Sequence, residues 1–158
     1  MRVLTVRQPW AWAIVHGGKT VENRPRVWSY VGVTGVHAAK EWDLPALDDP
    51  ALLDALDAAG LDVDRVRHGL EGHLFPTSAV VGVVDMIGGH RSDEGCCPGN
   101  PWARRPGPGV GYVGHHALRR PRPIDPVTEV RGNVTLWYPD AELQARIVAR
   151  LPLEGSHL

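Results

Sequence analysis

The sequence predicts an α+β protein, a small mixed or antiparallel β-barrel of about five to six strands with helices packed outside it. The first observation is that short segments of alternating β-branched residues outnumber the segments with helical periodicity. The second is that turns separate these segments, where a doubly wound sheet would have regular crossover helices. The third is composition, since 18 glycines and 14 prolines suit short strands joined by loops.

The amino-terminal part predicts a strand, a helix and a second extended segment. Residues 2–6 (RVLTV) alternate in polarity and predict the strand. Residues 9–16 place a proline in a first helical turn and apolar side chains at helical spacing, which predicts a short helix. Gly17 and Gly18 end that helix, and residues 20–24 continue as an extended segment that the next proline limits.

The remaining strands follow from alternation and apolar content. Residues 28–38 predict one or two strands, and residues 79–87 (AVVGVVDMI) predict a buried central strand because they are the most apolar stretch. Residues 111–120 and 129–139 predict two more strands. The proline-rich residues 121–126 between them predict a rigid connection.

The domain organisation is expected to be simple, with residues 1–158 forming a single domain. Leucines at three- and four-residue intervals over residues 45–60 predict a helix with an acidic face, and residues 62–69 add a turn or two. We interpret residues 43–72 as a helical insertion. Residues 91–110 are rich in proline and glycine, which predicts a long loop of the kind that is often functional.

The carboxyl-terminal end predicts a last helix and a short tail. Residues 140–151 carry an amphipathic pattern, and Pro152 ends it. Residues 154–158 (EGSHL) carry no structural signal, so we expect a frayed end.

Composition limits the classes of function. Lysines and arginines number 17 against 18 acidic residues, for a formal net charge of −1, so any binding of nucleic acid must depend on a local patch. Cys96 and Cys97 are adjacent and predict no disulfide framework. The sequence has no apolar signal core and no run near the roughly 20 apolar residues of a membrane helix, which predicts a cytoplasmic protein without a membrane partner.

The segment GGKTVENR, residues 17–24, is the main candidate for chemistry. If residues 20–24 are extended, Thr20, Glu22 and Arg24 share one face, with Lys19 at the turn before them. A carboxylate between two cations can recognise a polar planar ligand or a phosphate, and a glycine turn lets a ligand approach the backbone. The alternative is a surface ion pair beside glycines that only end a helix, and charge pattern alone favours this alternative.

Two other patterns argue against metal and nucleotide chemistry. Cys96, Cys97, His90, His115 and His116 have no CxxC or HxxxH spacing, so the sequence predicts no metal site, and no cofactor is expected. The letters GGKT resemble the end of a phosphate-binding loop, but the earlier glycine is absent and the turn follows a helix, which excludes nucleotide hydrolysis of that type.

The six tryptophans have to supply much of the core, because the chain has one phenylalanine. We expect Trp10 or Trp12, together with Trp137, in the core. Trp102 lies beside two arginines in the long loop, an arrangement that can stack a base and hold a phosphate. Trp102 is therefore a candidate contact.

The stretch VRQPWAWAIVHGGKTVENR, residues 6–24, resembles the amino-terminal signature of the ASCH domain family. The family pattern GxKxxExR falls on Gly17, Lys19, Glu22 and Arg24. Three later stretches, YVGVTGVHAAK, AVVGVVDMIGGHRSD and VRGNVTLWYP, resemble the following strands of the family. The resemblance covers most of the chain and implies a PUA-like β-barrel whose cleft is associated with RNA or modified nucleobases.

The resemblance also implies the residues of the cleft. Lys19, Glu22 and Arg24 are expected to line it, with neighbours from the flanking segments and from the strand that carries His37. The candidate ligand-binding residues are Gln8, Trp10, Gly17, Lys19, Thr20, Glu22, Asn23, Arg24, His37 and Lys40.

Three functions follow as hypotheses. The first is binding of RNA, DNA or a free modified nucleoside through the cleft. The second is hydrolysis of an N-acylated nucleoside or of RNA, with Lys19 and Glu22 as candidate catalytic residues. Some small ASCH proteins deacetylate acetylated cytidine with a lysine and a threonine in the equivalent motif, and Glu22 here stands at the position of that threonine. The third is an interaction domain without a small ligand.

Overall fold

The structure, a computed structural model, describes residues 1–94 and 97–152 and contains one six-stranded sheet that curls into a half-barrel. The order across the sheet is β2-β5-β4-β3-β1-β6, and β1 and β3 form the parallel pair in an otherwise antiparallel arrangement. The predicted small α+β barrel is thereby confirmed. The strands are β1 (Arg2–Gln8), β2 (Val21–Arg24), β3 (Gly32–Trp42), β4 (Ala79–Arg91), β5 (Gly114–Val127) and β6 (Leu136–Trp137).

Four α-helices of the described residues pack outside the sheet, where the sequence predicts helices. Asp49 and Asp140 begin the second and fourth, because each carboxylate accepts hydrogen bonds from backbone N–H groups of the first turn. None of the helices in the described part of the chain is long and apolar enough to cross a membrane. The helices are α1 (Trp10–Val15), α2 (Pro50–Ala58), α3 (Val63–Arg67) and α4 (Ala141–Val148), with 3-10 turns at Leu44–Asp48, Gly72–Leu74 and Ser92–Glu94.

The apolar core has three parts that correspond to the helices. Helix α1 packs on β4 and β3, helix α4 packs on the other face of the sheet, and α2 packs over a cluster around Trp12 and Phe75. The rings of Trp12 and Phe75 lie 5.6 Å apart. Trp12 is therefore the predicted core tryptophan, whereas Trp137 is half-buried and donates its indole N–H to Thr5 Oγ1 at 3.0 Å.

Two predicted elements are wrong in the carboxyl-terminal half. The proline-rich residues 121–126 are part of β5 and are not a separate connection. Strand β2 pairs with residues 114–117 of β5, so the later part of β5 is a free edge on that side. Prolines are tolerated there, because an edge strand needs no backbone N–H donor on its unpaired side. The strand predicted over residues 129–139 shrinks to Leu136–Trp137, because β6 pairs with β1 at two positions only.

The other boundaries differ by a few residues. Strand β3 begins later than predicted and runs on to Trp42, and β4 continues past residue 87 to Arg91. The tail at residues 154–158 and Cys96 lie outside the described residues. The single domain and the insertion at residues 43–72 stay predictions, although that segment is helical as expected.

The position of α1 depends on a close approach to the sheet at Gly82. A Cβ atom at this glycine would lie 2.7 and 2.9 Å from the two methyl groups of Val15 and 3.1 Å from the Arg122 carbonyl oxygen. The helix therefore packs directly on the β4 backbone. This contact matters for the site described below, because the chain passes from α1 through the glycine turn into β2.

We predict that Gly82→Ala lowers the free energy of unfolding by about 1–3 kcal/mol, because the new methyl group has to displace α1 from β4. Gly72→Ala is the matched control, since a Cβ atom there meets nothing within 4 Å. Urea denaturation of both variants measures the difference. Equal stability of the two variants would show that the contact between α1 and β4 is not close.

Candidate functional site

The candidate site lies where the two ends of the half-barrel approach each other. Strand β2 is one edge of the sheet and β1 lies near the other edge, so the two strands are not neighbours. The Arg24 side chain nevertheless donates from Nη2 to the carbonyl oxygen of Thr5 at 2.6 Å. This bond crosses the open side of the half-barrel, and a cleft of about 790 Å³ lies beside it, within the size range of small-molecule sites.

The signature residues on and before β2 form a group of three charges, of which Lys19 and Glu22 are buried and Arg24 is half-buried. Lys19 Nζ lies 3.3 Å from Glu22 Oε2, and Arg24 Nε lies 2.9 Å from Glu22 Oε1. Lys19 also donates to the carbonyl oxygen of Val21. Lys19 and Glu22 are only 5% and 6% exposed, so the alternative of a surface ion pair is wrong.

Burial lowers the pKa of Lys19 below its ordinary value of 10.5. The carboxylate of Glu22 acts in the opposite direction and raises this pKa, whereas the charges of Arg104 and Arg24 lower it further. The loss of hydration therefore outweighs the attraction of the ion partner. A buried lysine with a shifted pKa in a cleft is typical of a functional site.

The loop after β4 is bonded to β2 through one asparagine. Asn23 donates from Nδ2 to the carbonyl oxygen of Trp102 at 2.8 Å, and its Oδ1 accepts from the backbone N–H of Arg104 at 2.9 Å. A second bond joins the same two segments, since Asn100 Nδ2 donates to Thr20 Oγ1 at 3.0 Å. The predicted long loop is thus a wall of the cleft.

Trp10 provides the aromatic surface of the cleft. The guanidinium carbon of Arg104 lies 5.0 Å from the centre of its ring, and Lys19 Nζ lies 5.5 Å from it. The indole N–H of Trp10 donates to Asp43 Oδ2 at 2.8 Å, which fixes the ring. Trp102 is buried behind Lys19, with its ring centre 5.9 Å from Nζ, so it supports the site and offers little surface to a ligand.

The cleft is cationic although the chain as a whole is not. Among residues 1–94 and 97–152, its lining contains four cations and two carboxylates, in a chain of net charge −1. Low-dielectric walls focus such a local excess of charge, which attracts anions such as phosphate. The charged lining residues are Arg7, Lys19, Arg24, Arg104, Glu22 and Asp43.

Three predicted ligand contacts have structural roles instead. Gln8 is fully buried and joins α1 to the chain before β4, because Nε2 donates to the Pro76 carbonyl and Oε1 accepts from the Trp12 N–H. Gly17 packs against α1, where a Cβ atom would lie 2.9 Å from Trp12. Thr20 is exposed and bonds the loop as described above.

His37 and Lys40 line a neighbouring cavity of about 410 Å³ that shares Thr5 and Gly132 with the cleft. His37 is buried, and its Nε2 lies 2.9 Å from the Val130 carbonyl oxygen. Burial lowers the pKa of His37, and this hydrogen bond opposes the shift. Both residues are therefore adjacent to the cleft but do not line it.

The sequence interpretation missed the residues that other segments bring to the cleft. Thr5 and Arg7 come from β1, Asp43 follows β3, and Thr135 precedes β6. In the sequence, the position of Arg104 beside Trp102 was the signal that the long loop contributes a residue to the cleft. No comparable signal marked the others, because their position depends on the curl of the sheet.

We predict that Lys19→Met removes a rise of stability with pH. Because the pKa of Lys19 is lowered in the folded protein, the unfolded chain binds more protons between that pKa and about 10.5, and the free energy of unfolding of the native sequence increases with pH through this window. Urea denaturation from neutral pH to pH about 10 measures the slope.

Lys40→Met is the matched control, because Lys40 is exposed and is the only other lysine of the chain. It should leave the slope unchanged. The interpretation fails if both variants have the pH dependence of the native sequence.

Solved structures with a similar architecture identify this fold. The crystal structure of an ASCH protein from Zymomonas mobilis aligns with a TM-score of 0.59 at 16% identity, covering 94% of each chain. A point mutant of that protein aligns at 0.58 with 15% identity over 94% of this chain and 97% of the other, and a second mutant at 0.54 with 16% identity over 94% and 95%. No family model and no curated protein matches the sequence. The resemblance to ASCH domains is confirmed at the level of architecture: the chain has an ASCH-domain fold.

Proposed function

We propose that the protein binds nucleic acid, RNA in the first place, or a modified nucleobase in the cleft where the two ends of the half-barrel meet. The observation that carries the proposal is the excess of cations in the cleft that Trp10 lines, in a chain without net positive charge. Recognition of nucleic acid by a near-neutral protein requires a local patch of this kind. The ASCH-domain fold supports the proposal, because the family resemblance implies a cleft for RNA or modified bases.

The cleft offers a partner for each part of a nucleotide. Trp10, with the guanidinium of Arg104 near its ring, can stack a base, and Arg104 can also contact a phosphate. Lys19 and Arg24 are N–H donors for a carbonyl or phosphate oxygen. A carboxylate has about four lone-pair sites, so Glu22 can accept from an exocyclic amino group while it holds both cations.

We predict that Arg104→Gln weakens binding of a short single-stranded RNA about tenfold and lowers the slope of log K against log salt by about 0.7, the amount for one lost phosphate contact. Arg105→Gln is the matched control, since Arg105 is the exposed neighbour of Arg104 and does not line the cleft. Fluorescence anisotropy with labelled RNA and DNA at several salt concentrations measures both quantities.

Lys19→Met tests the same site independently of the loop. The variant should bind the ligand preferred by the native sequence no more tightly than it binds the other ligands. Circular dichroism should show that the variant is folded. If Arg104→Gln and Arg105→Gln weaken binding equally, and Lys19→Met binds like the native sequence, RNA binds elsewhere on the surface and the proposal is wrong.

Hydrolysis of an N-acylated nucleoside or of RNA is the second candidate function. The observation that favours it is the lowered pKa of Lys19 beside Glu22 in the cleft. Lys19 can lower the pKa of a water or hold an oxyanion, and Glu22 beside it can act as the general base. The exposed position of Thr20, bonded to Asn100, argues against this threonine as a nucleophile.

The hydrolase hypothesis predicts turnover of N4-acetylcytidine or RNA that Glu22→Gln lowers by roughly a hundred- to ten-thousand-fold, the usual contribution of a general acid or base. Chromatographic detection of product from each substrate measures it. Glu22→Gln protein has to be shown to fold, because its two cationic partners lose their counter-ion. Absence of product from every acylated nucleoside and RNA tested would leave binding as the function.

A further inference from the structure

We propose that His90, Cys97 and His115 form a zinc site at the base of the loop that carries Trp102 and Arg104. One ligand atom of each of the three residues lies within 4.8 Å of the others. The sequence predicts no metal site, because its cysteines and histidines have no CxxC or HxxxH spacing. The three residues meet only because two paired strands and the following loop bring them together.

The two histidines are directly opposite each other on neighbouring strands. His90 on β4 is the register partner of His115 on β5. Opposite residues of an antiparallel pair point to the same face of the sheet with their Cβ atoms about 5 Å apart. Their rings are 5.6 Å apart and nearly perpendicular, so the pair can hold one ion from two sides.

Cys97 supplies the third donor at a suitable separation. Its Sγ lies 3.3 Å from Nε2 of His90. Around a tetrahedral zinc ion, with a Zn–S bond of about 2.3 Å and Zn–N bonds of about 2.0 Å, adjacent sulfur and nitrogen ligands are about 3.5 Å apart. Cys97 also adopts a left-handed backbone conformation with φ of 54°, which is uncommon for this residue type and is typical of functional positions.

His115 has the hydrogen bond expected of a metal ligand. Its Nε2 lies 2.7 Å from the carbonyl oxygen of Arg104, and a carbonyl can only accept, so Nε2 carries the proton. Nδ1 is then the nitrogen of His115 that would bind a metal ion. Metal-bound histidines usually donate their second N–H to a carbonyl or carboxylate in this way, which fixes the tautomer and the ring. His115 is only 3% exposed.

The donor set fits zinc and not the cations that prefer oxygen ligands. Two imidazole nitrogens and a thiolate suit Zn²⁺, whereas Mg²⁺ and Ca²⁺ require oxygen ligands. Three protein ligands leave a fourth tetrahedral position for water or another donor.

The zinc ion would fix one wall of the cleft. It would join the end of β4, the loop and the start of β5, and His115 is bonded directly to the backbone of Arg104. Asn23 holds the other side of the same loop segment on β2. The metal site goes beyond the proposed function, because zinc binding by these three residues does not depend on what the cleft binds.

Metal analysis of the full chain tests the site with Zn²⁺ alone. The chelator-treated protein should take up one Zn²⁺ per chain, with a raised melting temperature. His90→Ala and Cys97→Ser should each weaken zinc binding by more than about 100-fold, at least the loss seen when an outer-shell partner is removed. His73→Ala is the control, because His73 is an exposed histidine away from the group.

Cobalt substitution identifies the ligands by spectroscopy. The Co²⁺-loaded native sequence should show a thiolate-to-cobalt charge-transfer band that Cys97→Ser lacks. A band that persists in Cys97→Ser, or uptake of less than a stoichiometric amount of Zn²⁺ by the native chain, would overturn the site. Circular dichroism of the metal-free native protein and of both variants shows whether a loss of binding is a loss of fold.

Hydrogen exchange tests the consequence for the loop. Zinc should slow exchange of the backbone amides of Trp102 and Arg104 in the native sequence and not in Cys97→Ser. Unchanged exchange in stoichiometrically loaded protein would overturn the role of zinc in fixing the cleft wall. No RNA is present in these measurements, so their outcome is independent of the proposed function.

Discussion

The guanidinium of Arg24 holds together the two ends of an open sheet, and the site depends on that. It donates through Nε to Glu22 within its own strand and through Nη2 to the Thr5 carbonyl on β1, across the open side of the half-barrel. The planar guanidinium makes the two bonds through separate nitrogens in fixed directions, whereas a lysine ammonium has a single nitrogen. Thr5, Glu22 and Arg24 all line the cleft, so the interaction that joins the two ends of the sheet also fixes part of the cleft lining.

The choice of lysine at position 19 is explained better by function than by stability of the fold. The chain has 17 basic residues, of which only Lys19 and Lys40 are lysines, and Lys19 is the buried cation of the ion group. Because burial lowers the pKa of Lys19 despite the nearby Glu22, the charged form is less favourable in the folded protein than in water. An arginine could not lose its proton at this position. The cleft therefore contains a cation whose charged form is disfavoured by burial.

The sequence predicts the local part of the site well and the long-range part poorly. Alternation along residues 20–24 was enough to put Glu22 and Arg24 on one side of a strand, because the period of two is a local property. It could not show that Arg24 reaches Thr5, since that distance depends on the curl of all six strands. The prolines of β5 misled the prediction for the same reason, because a proline is acceptable in a strand only where pairing on one side has ended.

The loop after β4 is joined by hydrogen bonds to both β2 and β5. Asn23 bonds to the backbone on both sides of Ala103, so β2 and the loop segment of Trp102 and Arg104 are joined through one side chain. His115 reaches the same segment from β5 through the Arg104 carbonyl. The positive face of the cleft, which supplies its attraction for anions, is therefore held by neutral hydrogen bonds that salt does not screen. Added salt should weaken attraction of an anion to the cleft while leaving the geometry of the wall unchanged, because screening acts on the charges and not on these hydrogen bonds between neutral groups.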